Sequence, residues 1–226
     1  MKFKKVNFYT NQLEELKEFY SSKLGFKIVT QTESSFTLKI GWSHLTFTKS
    51  KKEHKYHFCF LIPCNQLKSC LEYFKNKISI VNIEDQRQTQ NFPKWNADSF
   101  YFEDTAGNLG ELIVRHELKN TNSSTFNLNQ VLGVNEIGLP TNNIKTINKQ
   151  LETEIKTTFW KGDFHRFGTN GDQEGMFLLT NIKEKETWFP TSVKIKSEPF
   201  ETLIENNKEI YSLIFKNGKI KTAANT

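Results

Sequence analysis

The sequence has little cysteine and no long apolar run. Its three cysteines, Cys59, Cys64 and Cys70, cannot all pair, and their spacing fits no zinc signature. A disulfide-braced secreted scaffold is therefore excluded, and reduced thiols are expected. No stretch approaches the roughly 18 to 20 uninterrupted apolar residues of a membrane span, and the Lys-rich start leads into a strand-like segment. These absences predict a soluble cytoplasmic protein without a membrane partner.

Charge of one sign is only mildly in excess. The 226 residues include 31 basic and 25 acidic ones, a net charge of +6. The basic residues are spread along the chain, and their densest cluster, within residues 49–55, falls where a polar hairpin or linker is expected. We therefore predict no nucleic-acid partner. The 36% hydrophobic and 13% aromatic content excludes a disordered chain.

The order of predicted elements repeats along the chain. Residues 3–10 alternate like a strand, a helical stripe begins at Leu13, and strand-like runs follow at 26–33, 35–40 and 44–48. The same β-α-β-β-β order returns with a strand at 56–62, a helical stripe at 67–74, and strands at 78–83, 99–103 and 110–115. Such repetition indicates a fold built from copies of one unit.

The second half of the sequence repeats the order less clearly. Residues 119–130 have the polar composition of a linker. A third unit follows, with a strand at 131–139, a helical stripe at 144–155, and strands near 158–161, 164–168 and 176–180. The fourth is eroded: strands are predicted at 193–196 and 210–215, and residues 200–207 are too short for the helix. We predict an α+β fold with domains 1–118 and 131–226, the second degenerate.

Two segments carry a family resemblance. Residues 13–26 (LEELKEFYSSKLGF) and 102–112 (FEDTAGNLGEL) resemble motifs of the vicinal oxygen chelate superfamily, which contains glyoxalases, bleomycin resistance proteins and extradiol dioxygenases. His57 opens the strand on which this family usually carries a histidine. The resemblance implies paired βαβββ modules that form a curved, barrel-like mixed sheet around a cavity. It also implies that metal ligands, where present, come from the first and last strands of the modules.

The ligand positions implied by this resemblance are only partly filled. His57 and Glu111 occupy them in the second module, and strand alternation turns both inward. In the first module they hold Lys5 and Thr46, which are poor ligands because a protonated lysine has no free lone pair and a hydroxyl binds weakly. His44, on the same strand face as Thr46, is a candidate third ligand. Without metal, we predict that Lys5 forms an ion pair with Glu111.

Other residues complete the predicted ligand pocket or lie beside it. Trp95, in the long loop 86–98, either stacks on a ligand or caps a core edge. Arg115 either binds a carboxylate or phosphate or reaches solvent from the strand end. Glu136 holds the first-strand position of the third module, which has no histidine at a ligand position. Cys59, beside His57, is interpreted as a buried thiol.

Two functional hypotheses follow. The preferred one is a metal-free protein that binds a small molecule in the sheet cavity, with Lys5, Glu111 and Arg115 as polar anchors. The alternative is a metal-dependent lyase, isomerase or ring-cleaving dioxygenase, in which a divalent metal held by His57, Glu111 and His44 polarises vicinal oxygens. Glu111 is the best catalytic candidate. The cofactor is unknown apart from that metal, and a homodimer is left open.

Overall fold

A computed structural model describes residues 1–225. The strands are β1 (Lys2–Thr10), β2 (Ile28–Gln31), β3 (Ser35–Ile40), β4 (Ser43–Lys49), β5 (His57–Leu61), β6 (Gln90–Phe92), β7 (Ala97–Glu103), β8 (Leu109–Arg115), β9 (Gly133–Thr141), β10 (Phe159–Gly162), β11 (Phe167–Asp172), β12 (Gly175–Asn181), β13 (Phe200–Asn206), β14 (Glu209–Lys216) and β15 (Lys219–Asn225). The helices are α1 (Leu13–Lys17), which continues as a π-helix over Glu18–Leu24, α2 (Leu67–Lys75) and α3 (Ile144–Glu154). Short 3-10 turns lie at Glu84–Gln86, Pro93–Trp95, His116–Leu118 and Leu128–Gln130.

These elements form four modules. The first spans β1–β4 with α1, the second β5–β8 with α2, and the third β9–β12 with α3, whereas the fourth contains β13–β15 without a helix. Local sequence explains the helix limits. Gly25 adopts the left-handed conformation at φ 99° that ends the first helix, and the Asn143 side chain accepts a hydrogen bond from the Thr146 backbone N–H at the start of α3.

The strands assemble into two sheets. One has seven strands in the order β15-β14-β13-β1-β4-β3-β2, and the other has eight in the order β10-β11-β12-β9-β5-β8-β7-β6. The first module therefore shares a sheet with the fourth, and the second shares a sheet with the third. The α+β class and the repeated βαβββ modules are thus as the sequence predicts.

The pairing of the modules differs from the expectation that residues 1–118 pair among themselves. β1 pairs antiparallel with β13, and β5 pairs antiparallel with β9. Alternation along a strand specifies which face is buried, but it does not specify which other strand joins its free edge. The division into domains 1–118 and 131–226 remains a prediction, and both sheets cross it.

One continuous core joins the two sheets. Phe8 of β1 stacks on Tyr56 with ring centroids 4.2 Å apart, and Phe3 meets Phe177 of β12 edge to face at 5.1 Å. Both Phe3 and Phe8 are fully buried. Burial of aromatic side chains of this size contributes a few kcal/mol each. The far face of the eight-stranded sheet is covered by residues 182–199, the segment that connects the third and fourth modules.

Two predicted strands are not observed, and a strand forms in one segment for which none was predicted. Residues 78–83 form no strand, although the Val81 N–H donates to the Tyr101 carbonyl, and the edge strand is instead β6 at Gln90–Phe92. Residues 193–196 contribute only the single bridge between Thr187 and Lys194. Residues 200–207, too short for a helix, form β13. Among the described residues, no helix is long and apolar enough to cross a membrane.

The pairing of the first and fourth modules predicts a specific cross-link. Asn7 and Glu201 face each other across the antiparallel β1–β13 pair, where Cα atoms lie about 4.5 to 5.5 Å apart, within the range a disulfide spans. The Asn7→Cys/Glu201→Cys protein should form this disulfide under mild oxidation, detected by peptide mass mapping. The control Asn7→Cys/Glu205→Cys, displaced by four residues, should not, and the reverse result would contradict the topology.

Candidate functional site

The face of the eight-stranded sheet that residues 182–199 cover holds a cavity of about 240 Å³. Aromatic side chains form much of its wall: Phe92, Trp95, Tyr101, Phe167, Trp188 and Phe189. Its ionisable side chains are His57, Glu111, Arg115, Glu136 and Lys185. The second and third modules and the covering segment 182–199 all contribute. The site is therefore built across the predicted domain boundary.

Strand register places two carboxylates on either side of Cys59. In the parallel pairing of β5 with β8, Cys59 is opposite Glu111, and in the antiparallel pairing of β5 with β9 it is opposite Glu136. Side chains directly opposite each other in a sheet point to the same face, and so do side chains two residues apart on one strand. His57, two residues before Cys59 on β5, therefore points to the same face as the two carboxylates. The ligand atoms of His57, Glu111 and Glu136 consequently all lie within 4.8 Å of one another, and all three residues are buried.

The backbone fixes the tautomer of His57. Its Nδ1 lies 3.1 Å from the carbonyl oxygen of Leu109, and because a carbonyl only accepts, Nδ1 must carry the proton. Nε2 then carries no proton and has a free lone pair, and it lies 3.5 Å from Oε2 of Glu111. Burial lowers the pKa of His57 to about 4, so the imidazole is neutral at pH 7. A neutral ring held in this way is the form that binds metals.

The two carboxyl groups have different partners. Arg115 donates through Nη2 to Oε1 of Glu136, and through Nε to Oδ1 of Asn135 at 2.9 Å. Burial raises the pKa of Glu136, and Arg115 opposes that rise. Burial, followed by repulsion from Glu136, raises the pKa of Glu111 to about 8. Without a metal, Arg115 therefore favours the ionised form of Glu136, while at pH 7 Glu111 keeps its proton facing Nε2 of His57.

The donor set fits a divalent cation. One imidazole nitrogen and two carboxylate oxygens suit Mn²⁺, Fe²⁺, Ni²⁺ or Zn²⁺. A cation would also supply the positive charge that allows Glu111 to ionise in a buried site. Leu178, opposite Gly138 in the β9–β12 pair, holds the position that corresponds to Glu111 in the second module. The pattern of first and last strands therefore supplies three ligands and leaves the fourth position apolar.

The covering segment closes the cavity with Trp188. This indole is buried and lies 4.9 Å, centroid to centroid, from the His57 ring. Gly138 of β9 makes room for it, because a Cβ there would lie 2.7 Å from the indole. Trp95, from the 3-10 turn beside β6, meets Trp160 edge to face at 5.2 Å. These contacts restrict water access to the buried carboxyl groups.

The structure brings together His57, Glu111, Trp95 and Arg115 but not the other predicted residues. Lys5 lies exposed on the seven-stranded sheet, where it is opposite His44 of β4 and Leu203 of β13. The predicted Lys5–Glu111 ion pair and the use of His44 as a third ligand are therefore wrong. Both rested on pairing the first module with the second, and the observed pairing puts their ligand positions on different sheets.

The sequence did not place Glu136, Lys185 or Trp188 in the cavity. Glu136 holds the first-strand ligand position of the third module, the same rule that selects His57, but only the pairing of β5 with β9 reveals that the two meet. Lys185 and Trp188 lie in a segment that has no strand or helix periodicity, so no pattern marks them. Cys59 is fully buried between the carboxylates, which agrees with its interpretation as a buried thiol.

Comparison with known proteins agrees with this architecture. The sequence profile of the Glyoxalase/Bleomycin resistance protein/Dioxygenase superfamily matches residues 2–112. The chain is similar to a putative dioxygenase from Bacillus subtilis subsp. subtilis str. 168, with 13% identity, TM-score 0.58, and coverage of 99% of this chain and 84% of that chain. It is also similar to glyoxalase I from Zea mays, with 11% identity, TM-score 0.57, and coverage of 99% and 92%. At these identities the likeness shows the fold alone. No curated protein matches the sequence.

The raised pKa of Glu111 predicts a pH dependence of stability. Its carboxyl loses the proton near pH 4.5 in the unfolded chain but near pH 8 in the folded, metal-free protein. The unfolded state binds fewer protons between these values, so the free energy of unfolding should fall as pH rises through this window. Glu111→Gln, which mimics the protonated form, should show a smaller fall in urea titrations, whereas Glu103→Gln, at an exposed site, should follow the wild type. Parallel curves for Glu111→Gln and wild type would contradict the assignment.

Proposed function

We propose that this chain, which belongs through residues 2–112 to the Glyoxalase/Bleomycin resistance protein/Dioxygenase superfamily, is a metal-dependent enzyme. Its substrate is a small molecule bound in the cavity. The observation that carries the proposal is the buried cluster of His57, Glu111 and Glu136. A neutral imidazole with a free Nε2 and two adjacent carboxyl groups form a ligand set whose charge suits a divalent ion.

The proposed ligands each depend on a neighbouring contact. The Leu109 carbonyl orients His57, and Arg115 holds Glu136 in place. When bound, the metal would act as a Lewis acid that polarises neighbouring oxygens of the substrate. With three protein ligands, further coordination positions stay open to substrate oxygens. A substrate with two adjacent oxygen atoms therefore fits this site, which is the requirement shared by a lyase, an isomerase and a ring-cleaving dioxygenase.

The chain's own residues would supply proton handling and exclusion of water. Glu111 is the proposed catalytic residue because its carboxyl faces both His57 Nε2 and the cavity, where it could exchange a proton with the substrate. Trp188 and Tyr101 restrict solvent above it and offer flat surfaces to an apolar substrate body. In such a dry site, charge interactions between protein and substrate are stronger than in water.

A second candidate function is small-molecule binding without metal. The observation that favours it is the contact between Arg115 and Glu136, because a guanidinium already neutralises one of the proposed ligands. Lys5 and Thr46, the poor ligands that favoured a metal-free pocket, lie on the seven-stranded sheet and do not belong to this cavity. One metal-binding measurement separates the two candidates.

Metal binding is tested on protein stripped with a chelator and titrated with Mn²⁺, Fe²⁺, Ni²⁺ and Zn²⁺ by calorimetry. At least one ion should bind with one equivalent per chain, and binding at 100 times Kd should stabilise the fold by roughly 2.7 kcal/mol. His57→Ala and Glu136→Gln should each weaken binding by about tenfold or more, since each removes a donor. The exposed residues His165 and Glu103 provide controls: His165→Ala and Glu103→Gln should bind as the wild type does.

Two results would overturn the metal-dependent proposal. One is the absence of saturable binding for all four ions. The other is binding that His165→Ala weakens as much as His57→Ala, because this would place the ion at the surface. Either result would favour the metal-free binding protein.

A further inference from the structure

Lys185 supplies a positive charge at the cavity, and no acidic side chain among the described residues lies within ion-pair distance of it. It lies in the covering segment 182–199 and lines the cavity beside the metal-ligand cluster. Its Nζ is 5.0 Å from the ring centroid of Phe167 and 5.5 Å from that of Trp188. Within residues 1–225, no hydrogen bond or ion pair reaches this ammonium group. Aromatic faces attract a cation but do not replace an anionic partner.

Arg115, which also lines the cavity, carries a second unused donor. The side chain is 1% exposed, so its guanidinium has almost no contact with bulk solvent. Nε and Nη2 donate to Asn135 and Glu136, whereas Nη1 has no hydrogen-bond partner in the described part of the chain. A buried donor without a partner carries a free-energy cost, because the group has given up its hydrogen bonds to water. A ligand atom that accepts from Nη1 would recover that cost.

The charges in the cavity also favour an anion. With a divalent ion bound, the carboxylates of Glu111 and Glu136 are balanced by the ion, and Arg115 and Lys185 remain as two uncompensated positive charges. In the metal-free protein, Arg115 pairs with Glu136, and no described carboxylate lies within ion-pair distance of Lys185. Burial lowers the pKa of Lys185 to about 8, which leaves most of it charged at pH 7.

We propose that the ligand of this cavity is a small carboxylic acid with a flat apolar body, whose carboxylate is bound by Lys185 and by Nη1 of Arg115. Trp95, Tyr101 and Trp188 provide the flat walls for its body. The cavity of about 240 Å³ restricts it to a molecule with roughly one aromatic ring and a short side chain. The inference rests on the proposed function for the location of the site, and it names the class of substrate.

The test compares two probes of the same shape that differ in charge, phenylacetate and phenylacetamide, by quenching of tryptophan fluorescence at pH 7. Metal-free and metal-loaded protein are both titrated. The wild type should bind phenylacetate about tenfold more tightly than phenylacetamide, since a hydrogen bond between two charged groups is stronger than one to a neutral amide. Lys185→Gln should reduce this preference to about twofold, and Lys185→Arg should retain most of it.

Lys183 provides the matched control. It is exposed, two residues away in the same segment, so Lys183→Gln changes the net charge equally without altering the cavity and should keep the tenfold preference. Unchanged selectivity in Lys185→Gln, a similar loss in Lys183→Gln, or no saturable binding of either probe would overturn the inference.

Metal stoichiometry measured on the same variants separates this inference from the proposed function. Lys185→Gln should bind metal as the wild type does. If no variant and no wild-type preparation binds metal while the preference for phenylacetate persists and depends on Lys185, the metal-dependent function fails and the carboxylate inference stands. If metal binds at His57 but the probes bind equally, the carboxylate inference fails and the metal-dependent function stands.

Discussion

The antiparallel pairing of β5 with β9 is the contact on which the site depends. It places Glu136 of the third module opposite Cys59, whose other neighbour is Glu111. Without this pairing the carboxylates would belong to separate sheets, and His57 would have one acidic neighbour in place of two. A shift of the register by one residue would turn Glu136 to the opposite face. The order of strands in the sheet therefore determines which ionisable groups meet in the cavity.

The pairing creates an electrostatic problem that the surrounding residues solve only in part. Two carboxylates at this distance in a dry site cannot both stay ionised without positive charge nearby. Arg115 neutralises Glu136, and Glu111 keeps its proton against the lone pair of His57. Because Arg115 pairs with only one of the two carboxyl groups, a divalent cation suits the cluster. With that cation bound, the positive charge of Lys185 favours an anionic ligand. Protonation, metal binding and ligand charge are therefore coupled in one small volume.

The sequence predicts the repeated modules and the inward direction of His57, Glu111 and Arg115, because these depend on local periodicity. It does not predict which modules share a sheet. The first strands of the modules have similar patterns, so local periodicity favours no particular partner for their free edges. That single uncertainty produced the errors at Lys5 and His44 and hid the role of Glu136. The covering segment with Trp188 is held by tertiary contacts and not by a repeating pattern, so its sequence gives no comparable signal.

The central claim is that His57, Glu111 and Glu136 bind one metal ion. The most direct measurement is crystallographic: crystals loaded with Zn²⁺ or Mn²⁺ are measured above and below the absorption edge of that metal. We expect one strong anomalous peak per chain, about 2.0 to 2.2 Å from Nε2 of His57 and from a carboxylate oxygen of each glutamate. No peak in the cavity, or a peak held only by surface residues, would contradict it.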